Sequence, residues 1–245
     1  MSFKYNELLG VRVTLPTGLD LASLDVHSTD FISTLNAELL LMAREDEHFK
    51  YILNLSETTL DGYWTCRAFK NKYPNVNDVK KDSGSEIIYD VITYAAQKKL
   101  KVMLLGGQKE INNLAVAELK RISDYSGIVG YSPKFESYPF SNANVNEIKQ
   151  EIENHKPDYI ITAFGAPKQE FWAYETRDFL FLNGVSCVFF FGGAIDMVAG
   201  KYTRAPRVFQ KIGLESLWRL FQDRNRWKRE MKKFKFLALM FTGRV

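Results

Sequence analysis

Short runs rich in apolar residues that alternate with amphipathic ones leave few folds open to this chain. Runs rich in β-branched and aromatic residues recur at "VRVTLP" (11–16), "YILNLS" (51–56), "KVMLLGG" (101–107), "GIVGYS" (127–132), "DYIITAFG" (158–165) and "VSCVFFFGG" (185–193), with a further one over 31–35. Between most of them apolar residues recur at three- and four-residue steps, as in "EIIYDVITYAAQKKL" (86–100), "EINNLAVAELKRI" (110–122) and "VNEIKQEIENH" (145–155), the spacing of one helix face. Strands apolar throughout belong to a sheet covered on both faces, and strands alternating with helices make it parallel. The expectation is an α/β fold: a Rossmann-like parallel sheet sandwiched by helices over residues 1–212, followed by a basic amphipathic helical appendage over 213–245. Residues 73–86 and 132–144 read as long loops.

With 245 residues, 46% of them hydrophobic, the chain can bury a substantial core. Its start, "MSFKYNELLG", has no basic region followed by an apolar block, which makes the cytoplasm the expected compartment. Cys66 and Cys187 are the two cysteines. Far apart and without metal-ligand spacing, they read as reduced structural thiols, and no metal site is expected. Charge is unevenly spread: residues 201–245 hold 13 Lys/Arg against 3 Asp/Glu, leaving 20 against 26 for residues 1–200. A basic C-terminal segment of this kind suits phosphate groups or an anionic membrane surface.

In parallel sheets ligands collect at the carboxyl ends of strands. One such end is "LLGGQKE" (104–110), where Gly106 and Gly107 stand between a strand and a helix. It lacks the third glycine of GxGxxG, and no GxxxxGK[ST] occurs, so a tight turn is the favoured reading over dinucleotide or ATP chemistry. "GAPKQE" (165–170) is richer. Gly165 permits close backbone approach, Pro167 suits a helix start, Lys168 brings a cation and Gln169 a two-sided amide, together fit for the phosphates and hydroxyls of a sugar nucleotide. On spacing alone, exposed first-turn residues are an equal alternative. "TTLDGYW" (58–64) sets Asp61 at a turn where a carboxylate can take a proton, although Asp-Gly is also an ordinary turn. "FGGAIDMVAGKYTRAPR" packs Gly192, Gly193, Asp196, Lys201 and Arg204 behind the most apolar strand. Asp196 suits a base or ribose, and the two cations a diphosphate.

Near the C-terminus Arg219, Arg226 and Arg229 fall at steps of seven and three, on one helix face. Beyond them "MKKFKFLALMF" mixes cations with large apolar groups. Its unbroken apolar run, 236–241, is far short of the ~20 residues that span a bilayer, so the segment can lie on a membrane and not cross it. Core packing accounts for 214–221, and a basic nucleic-acid patch is the alternative for 224–241.

Taken together, "STLNAE", "LDG", "GAPKQEFW" and "GGAIDMVAGKYTRAPRVFQKIGLESLWRLFQDRNRWKR" resemble the WecG/TagA/CpsF family of bacterial glycosyltransferases (glycosyltransferase family 26) over roughly residues 30–230. The resemblance implies inverting transfer of an N-acetylmannosamine-type or glucose-type sugar from a UDP-sugar to a polyprenol-diphosphate-linked saccharide. The products would feed teichoic acid linkage units, enterobacterial common antigen, capsule or exopolysaccharide. It further implies that Asp61 is the general base and that Thr34, Asn36 and Gln169 line the catalytic pocket. Asp196 would sit near the nucleotide, and Arg219, Arg226 and Arg229 would complete the site and bind diphosphate at the inner face of the plasma membrane. No DxD pair occurs, so metal-independent catalysis without a cofactor is expected, and a homo-oligomer is left open. Two departures bear on the donor: Lys81 in "KKDSG" stands where the family has arginine, and a family "GYF" element is not clear in "YSPKF". The competing readings are a non-catalytic nucleotide-binding protein and a nucleic-acid-binding module using the basic tail.

Overall fold

The computed structural model describes residues 4–24, 29–203, 205–206, 208–209, 214–223 and 227–242. Its centre is a six-stranded parallel sheet flanked by helices, a Rossmann-like arrangement with strand order β4-β3-β8-β7-β5-β6. The strands are β3 (Asp30–Leu35), β4 (Glu57–Leu60), β5 (Val102–Gly106), β6 (Ile128–Tyr131), β7 (Tyr159–Ala163) and β8 (Cys187–Phe190). Every residue of β5 and β8 is buried, which is why these strands read as continuous apolar runs and not as alternating ones. The β1 (Lys4–Leu8) and β2 (Val11–Leu15) strands form a separate antiparallel hairpin. "VRVTLP" is therefore a hairpin strand and not part of the parallel sheet.

By contacts the chain divides into two compact units. The first comprises residues 1–19, 33–83 and 202–245, the second residues 20–32 and 84–201.

In the first unit, Asn36 and Asp46 accept backbone N–H groups at the starts of α1 (Ala37–Glu45) and α2 (Glu47–Asn54), satisfying donors a helix start leaves open. "YILNLS" thus belongs to a helix and not to a strand. Phe49, Ile52 and Leu53 are buried at the three- and four-residue spacing of a helix face, and the strand begins only at Glu57. Helix α3 (Tyr63–Lys72) follows directly behind Asp61 and Gly62. Helices over Glu215–Gln222 and Trp227–Phe241 end the unit. The latter is tied to α1 by Lys232–Glu38 at 3.6 Å and by Lys235–Glu45. A domain boundary at 212/213 lies outside the described residues.

In the second unit, α4 (Gly84–Lys98), α5 (Lys109–Ser123) and α6 (Asn142–His155) come within a few residues of the expected helices. They are joined by α7 (Lys168–Glu175), α8 (Arg177–Leu182) and α9 (Ala194–Val198). The core on one face of the sheet is built from Met103, Leu105, Ile160, Val188 and Phe190, with Ile148 and Ile152 of α6, Trp172 of α7 and Leu180 of α8. Phe164 stands edge-on to Trp172 with ring centroids 5.6 Å apart, a favoured aromatic geometry.

Candidate functional site

From β5 the chain moves outward to β6 and then crosses back to β7 on the other side of β5. The carboxyl ends of β5 and β7 therefore diverge, and a crevice opens where the strand order reverses. A cavity of about 650 Å³ lies there, lined by Gly106–Glu110 behind β5, Ser132–Glu136 and Phe140 behind β6, Ala163, Phe164 and Lys168 behind β7, and Asp196 and Lys201 behind β8. That volume falls in the range of small-molecule sites.

Gly106 and Gly107 shape its floor. Their φ angles are +102° and +74°, and a Cβ would come within 2.7 Å of Phe164 at the first and 2.5 Å of Ile195 at the second. Only glycine allows this approach. The turn is held by its own carbonyl: Asn112 Nδ2 donates to Gly106 O at 2.8 Å, and Ser132 Oγ donates to the same oxygen at 3.2 Å. Behind it Gln108 stands at the cap position of α5 and makes no side-chain cap. Lys109 and Glu110 of the first turn line the cavity, at the positive end of a 15-residue helix, a setting that favours an anion.

Lys109, Lys134, Lys168 and Lys201 all line the cavity. Burial lowers the affinity of Lys168 for its proton, and its Nζ lies 4.8 Å from the centre of the Phe135 ring. Lys201 donates to Asp196 at 3.2 Å, leaving that part of the wall close to neutral. Phe135 is 86% exposed, an unusual position for a large apolar ring, and it offers a flat face at the rim. Its loop is fixed from below: Glu136 accepts from the backbone N–H and hydroxyl of Ser141 at 2.9 and 3.0 Å, which holds its carboxyl below the usual range. Asn144 Nδ2 donates to Lys134 O at 2.8 Å.

At the neighbouring corner Pro167 takes the cap position of α7, one residue before the expected place. Gln169 is 3% exposed. Its Oε1 accepts from Gly165 N–H at 3.2 Å, and its Nε2 donates to Glu170 Oε1 at 3.0 Å. A Cβ on Gly192 would lie 3.8 Å from that Oε1, so the ends of β7 and β8 meet around this amide. Of the residues singled out in the sequence, the structure brings Lys168, Asp196 and Lys201 into the cavity wall, with Gly165, Gly192 and Gly193 at the turns beside it.

Asp61, Thr34 and Asn36 belong to the other unit. Asp61 N–H donates to Leu35 O at 2.7 Å, which binds the end of β4 to the end of β3, where Thr34 is buried. The Asn36 carboxamide oxygen accepts from Glu38 and Leu39 N–H at 2.9 and 3.1 Å; it caps α1, a structural duty the sequence reading did not assign. Cys66 sits one turn into α3, and desolvation, aided by the Asp61 charge, pushes its thiol up to about 12. Lys81 donates to Glu215 at 2.8 Å, joining the loop behind α3 to the Glu215–Gln222 helix. Arg204 and Arg226 lie outside the described residues, as do the side chains of Arg219 and Arg229. Among the described residues no three His, Cys, Asp or Glu side chains converge as metal ligands do.

The sequence reading passed over two parts of the cavity: the Gly106–Gly107 turn, set aside for want of a third glycine, and Phe135, taken as loop. The available signal was the pair of glycines between a strand and a helix; Phe135 carried none. Across residues 7–245 the chain matches the model of the glycosyl transferase WecG/TagA/CpsF family, and it belongs to that family of glycosyltransferases.

Proposed function

We propose that this glycosyltransferase moves a sugar, of N-acetylmannosamine or glucose type, from a UDP-sugar to a polyprenol-diphosphate-linked saccharide, with inversion and without a metal ion. The observation that carries the donor assignment is the cavity at the β5/β7 divergence. Its uncapped α5 start and lysines suit a diphosphate, the exposed Phe135 ring suits a nucleobase face, and Asp196 suits ribose or base hydroxyl and N–H groups. Lysines are point charges free of fixed bidentate geometry, adequate to hold a diphosphate as negative charge grows on it.

In the proposed reaction Asp61 takes the proton of the acceptor hydroxyl while its oxygen forms a bond to the anomeric carbon. The bond from that carbon to the diphosphate breaks, and UDP leaves with the electron pair. One base suffices for a single displacement with inversion. Gln169 is assigned to the sugar, and Thr34 and Asn36 to the lining of the catalytic pocket. The C-terminal arginines Arg219, Arg226 and Arg229, with Arg204, are assigned to diphosphate.

The acceptor assignment predicts attachment to a membrane surface at the inner face of a bacterial plasma membrane. Among the described residues no helix is long and apolar enough to cross a membrane. On the Trp227–Phe241 helix, however, Trp227, Met231, Phe234 and Phe241 are exposed and fall within about 80° of one another at helical spacing. This apolar stripe supports an interfacial mode of binding. Incubating the purified chain with a panel of UDP-sugars and a lipid-diphosphate saccharide in vesicles, and measuring UDP release, tests the reading. Release with one donor and acceptor pair is expected. UDP binding without release from any pair would instead mark a non-catalytic nucleotide-binding protein.

A further inference from the structure

Glu170 is fully buried in α7, where a carboxyl is rarely kept without a partner cation. None is present among the described residues: its Oε1 accepts from Gln169 Nε2, and its Oε2 has no hydrogen-bond partner. Gly165 N–H can only donate, so the oxygen of the Gln169 amide must face it, and the nitrogen must face Glu170. Two opposite contacts thus fix one orientation of one amide. The amide stands against Gly192, where the absence of a side chain leaves room at the end of β8, and among the described residues Nε2 donates to Glu170 alone. An apolar residue in place of Glu170 would pack in the core without burying an unpartnered oxygen, yet could not hold the amide.

We infer that Glu170 is a positioning residue for Gln169, holding its side-chain nitrogen oriented at the junction of β7 and β8 for contact with the transferred sugar. The inference rests on the reading above that Gln169 works at the reacting centre. It adds a residue that acts through Gln169 and touches no substrate itself.

The test compares full-length Glu170→Met, Glu170→Gln, Gln169→Ala and the double variant Gln169→Ala/Glu170→Met. Three measurements are made: thermal melting, UDP release with a productive UDP-sugar and lipid-diphosphate saccharide pair, and NMR of [15N]glutamine-labelled protein. In the spectrum the Gln169 side-chain amide is identified by its absence in Gln169→Ala. Glu170→Met is expected to melt at or above the wild-type temperature, to exchange the Gln169 amide protons at least about tenfold faster, and to lose about tenfold in kcat with donor KM little changed. Glu170→Gln, which restores an acceptor oxygen, should stay within about threefold of wild type, and Glu170→Met should have no further effect on Gln169→Ala. Full kcat and retained amide protection in Glu170→Met would overturn the inference, as would an equal loss in the Gln169→Ala background. Should Glu170→Met unfold, Glu170→Gln decides by itself: loss of amide protection there also overturns it. If Gln169→Ala transfers sugar at full rate, the catalytic reading of Gln169 falls, while amide protection still decides whether Glu170 holds the side chain.

Discussion

Replacing Gly106 by alanine should damage the cavity far more than the same change at Gly165, although both residues have positive φ. At Gly106 φ is +102°, and a Cβ meets Phe164 ring carbons at 2.7 and 2.9 Å and the Ala163 carbonyl carbon at 3.1 Å; at Gly165 φ is +79° and nothing lies within 4 Å. The backbone strain common to both costs roughly 1–3 kcal/mol, offset in both by about 0.4–1 kcal/mol from a less flexible unfolded chain. Overpacking adds about 1–3 kcal/mol at Gly106 alone, because Phe164 is wedged against Trp172 and Phe140 and cannot swing aside. For a chain of this size about 2–4 °C of melting temperature accompanies each kcal/mol, so Gly106→Ala should melt roughly 2–12 °C below Gly165→Ala. Scanning calorimetry on both variants reads the difference directly. Because the Gly106 carbonyl also anchors Asn112 and Ser132, UDP binding should weaken in Gly106→Ala. Equal melting temperatures would refute the claim that close approach, and not turn geometry alone, requires glycine at that position.

Asn36→Ala should lower stability by about 0.5–2 kcal/mol through loss of the α1 cap, while Asn36→Asp keeps the cap. If Asn36→Asp melts like wild type but loses transfer, the residue has a chemical duty besides the structural one. Cys66, with its thiol raised to about 12, holds only about one thiolate in ten thousand at pH 8. A thiol reagent should therefore modify Cys66 of the native protein slowly and react fast once guanidinium unfolds it; rapid labelling of native protein would contradict the raised thiol. Glu170 has a carboxyl raised by burial from 4.5 to about 7, so the native state binds this proton more tightly than the unfolded one. Its contribution is present below pH 4.5 and lost as pH rises through about 7, a difference of order 3 kcal/mol. Urea midpoints across pH 4.5–7 should fall more steeply for wild type than for Glu170→Gln, and equal slopes would count against the burial argument.

The parallel sheet was legible because burial on both faces leaves β5 and β8 as unbroken apolar runs bounded by glycine, and β7 nearly so. Periodicity located α4, α5 and α6 for the same reason. Where reading failed, tertiary context outweighed local composition. "YILNLS" is β-rich by content, but Asp46 caps a helix whose buried residues include Phe49, three positions before Ile52 and outside the quoted run. Lys168 and Asp196 of the cavity wall, and Gly165 between them and β7, were marked by their place at strand ends. Gly106 and Gly107 were discounted because a known fingerprint was missing, although the structure shows them needed for contact with Phe164 and Ile195. Phe135 carried no local sign of its position: exposure at a cavity rim depends on how Glu136, Ser141 and Asn144 fold the loop, and no short sequence window contains that.

Calorimetric titration with UDP and with uridine, on wild type, Phe135→Ala and Lys168→Ala, asks whether the cavity between β5 and β7 holds the nucleotide. Loss of base stacking, worth about 1–3 kcal/mol, should weaken both ligands roughly 5- to 150-fold in Phe135→Ala. Lys168→Ala should weaken UDP and leave uridine unchanged, because only UDP carries the diphosphate. UDP binding unaltered by either substitution, or absent in the wild-type protein, would contradict the placement of the donor in this cavity.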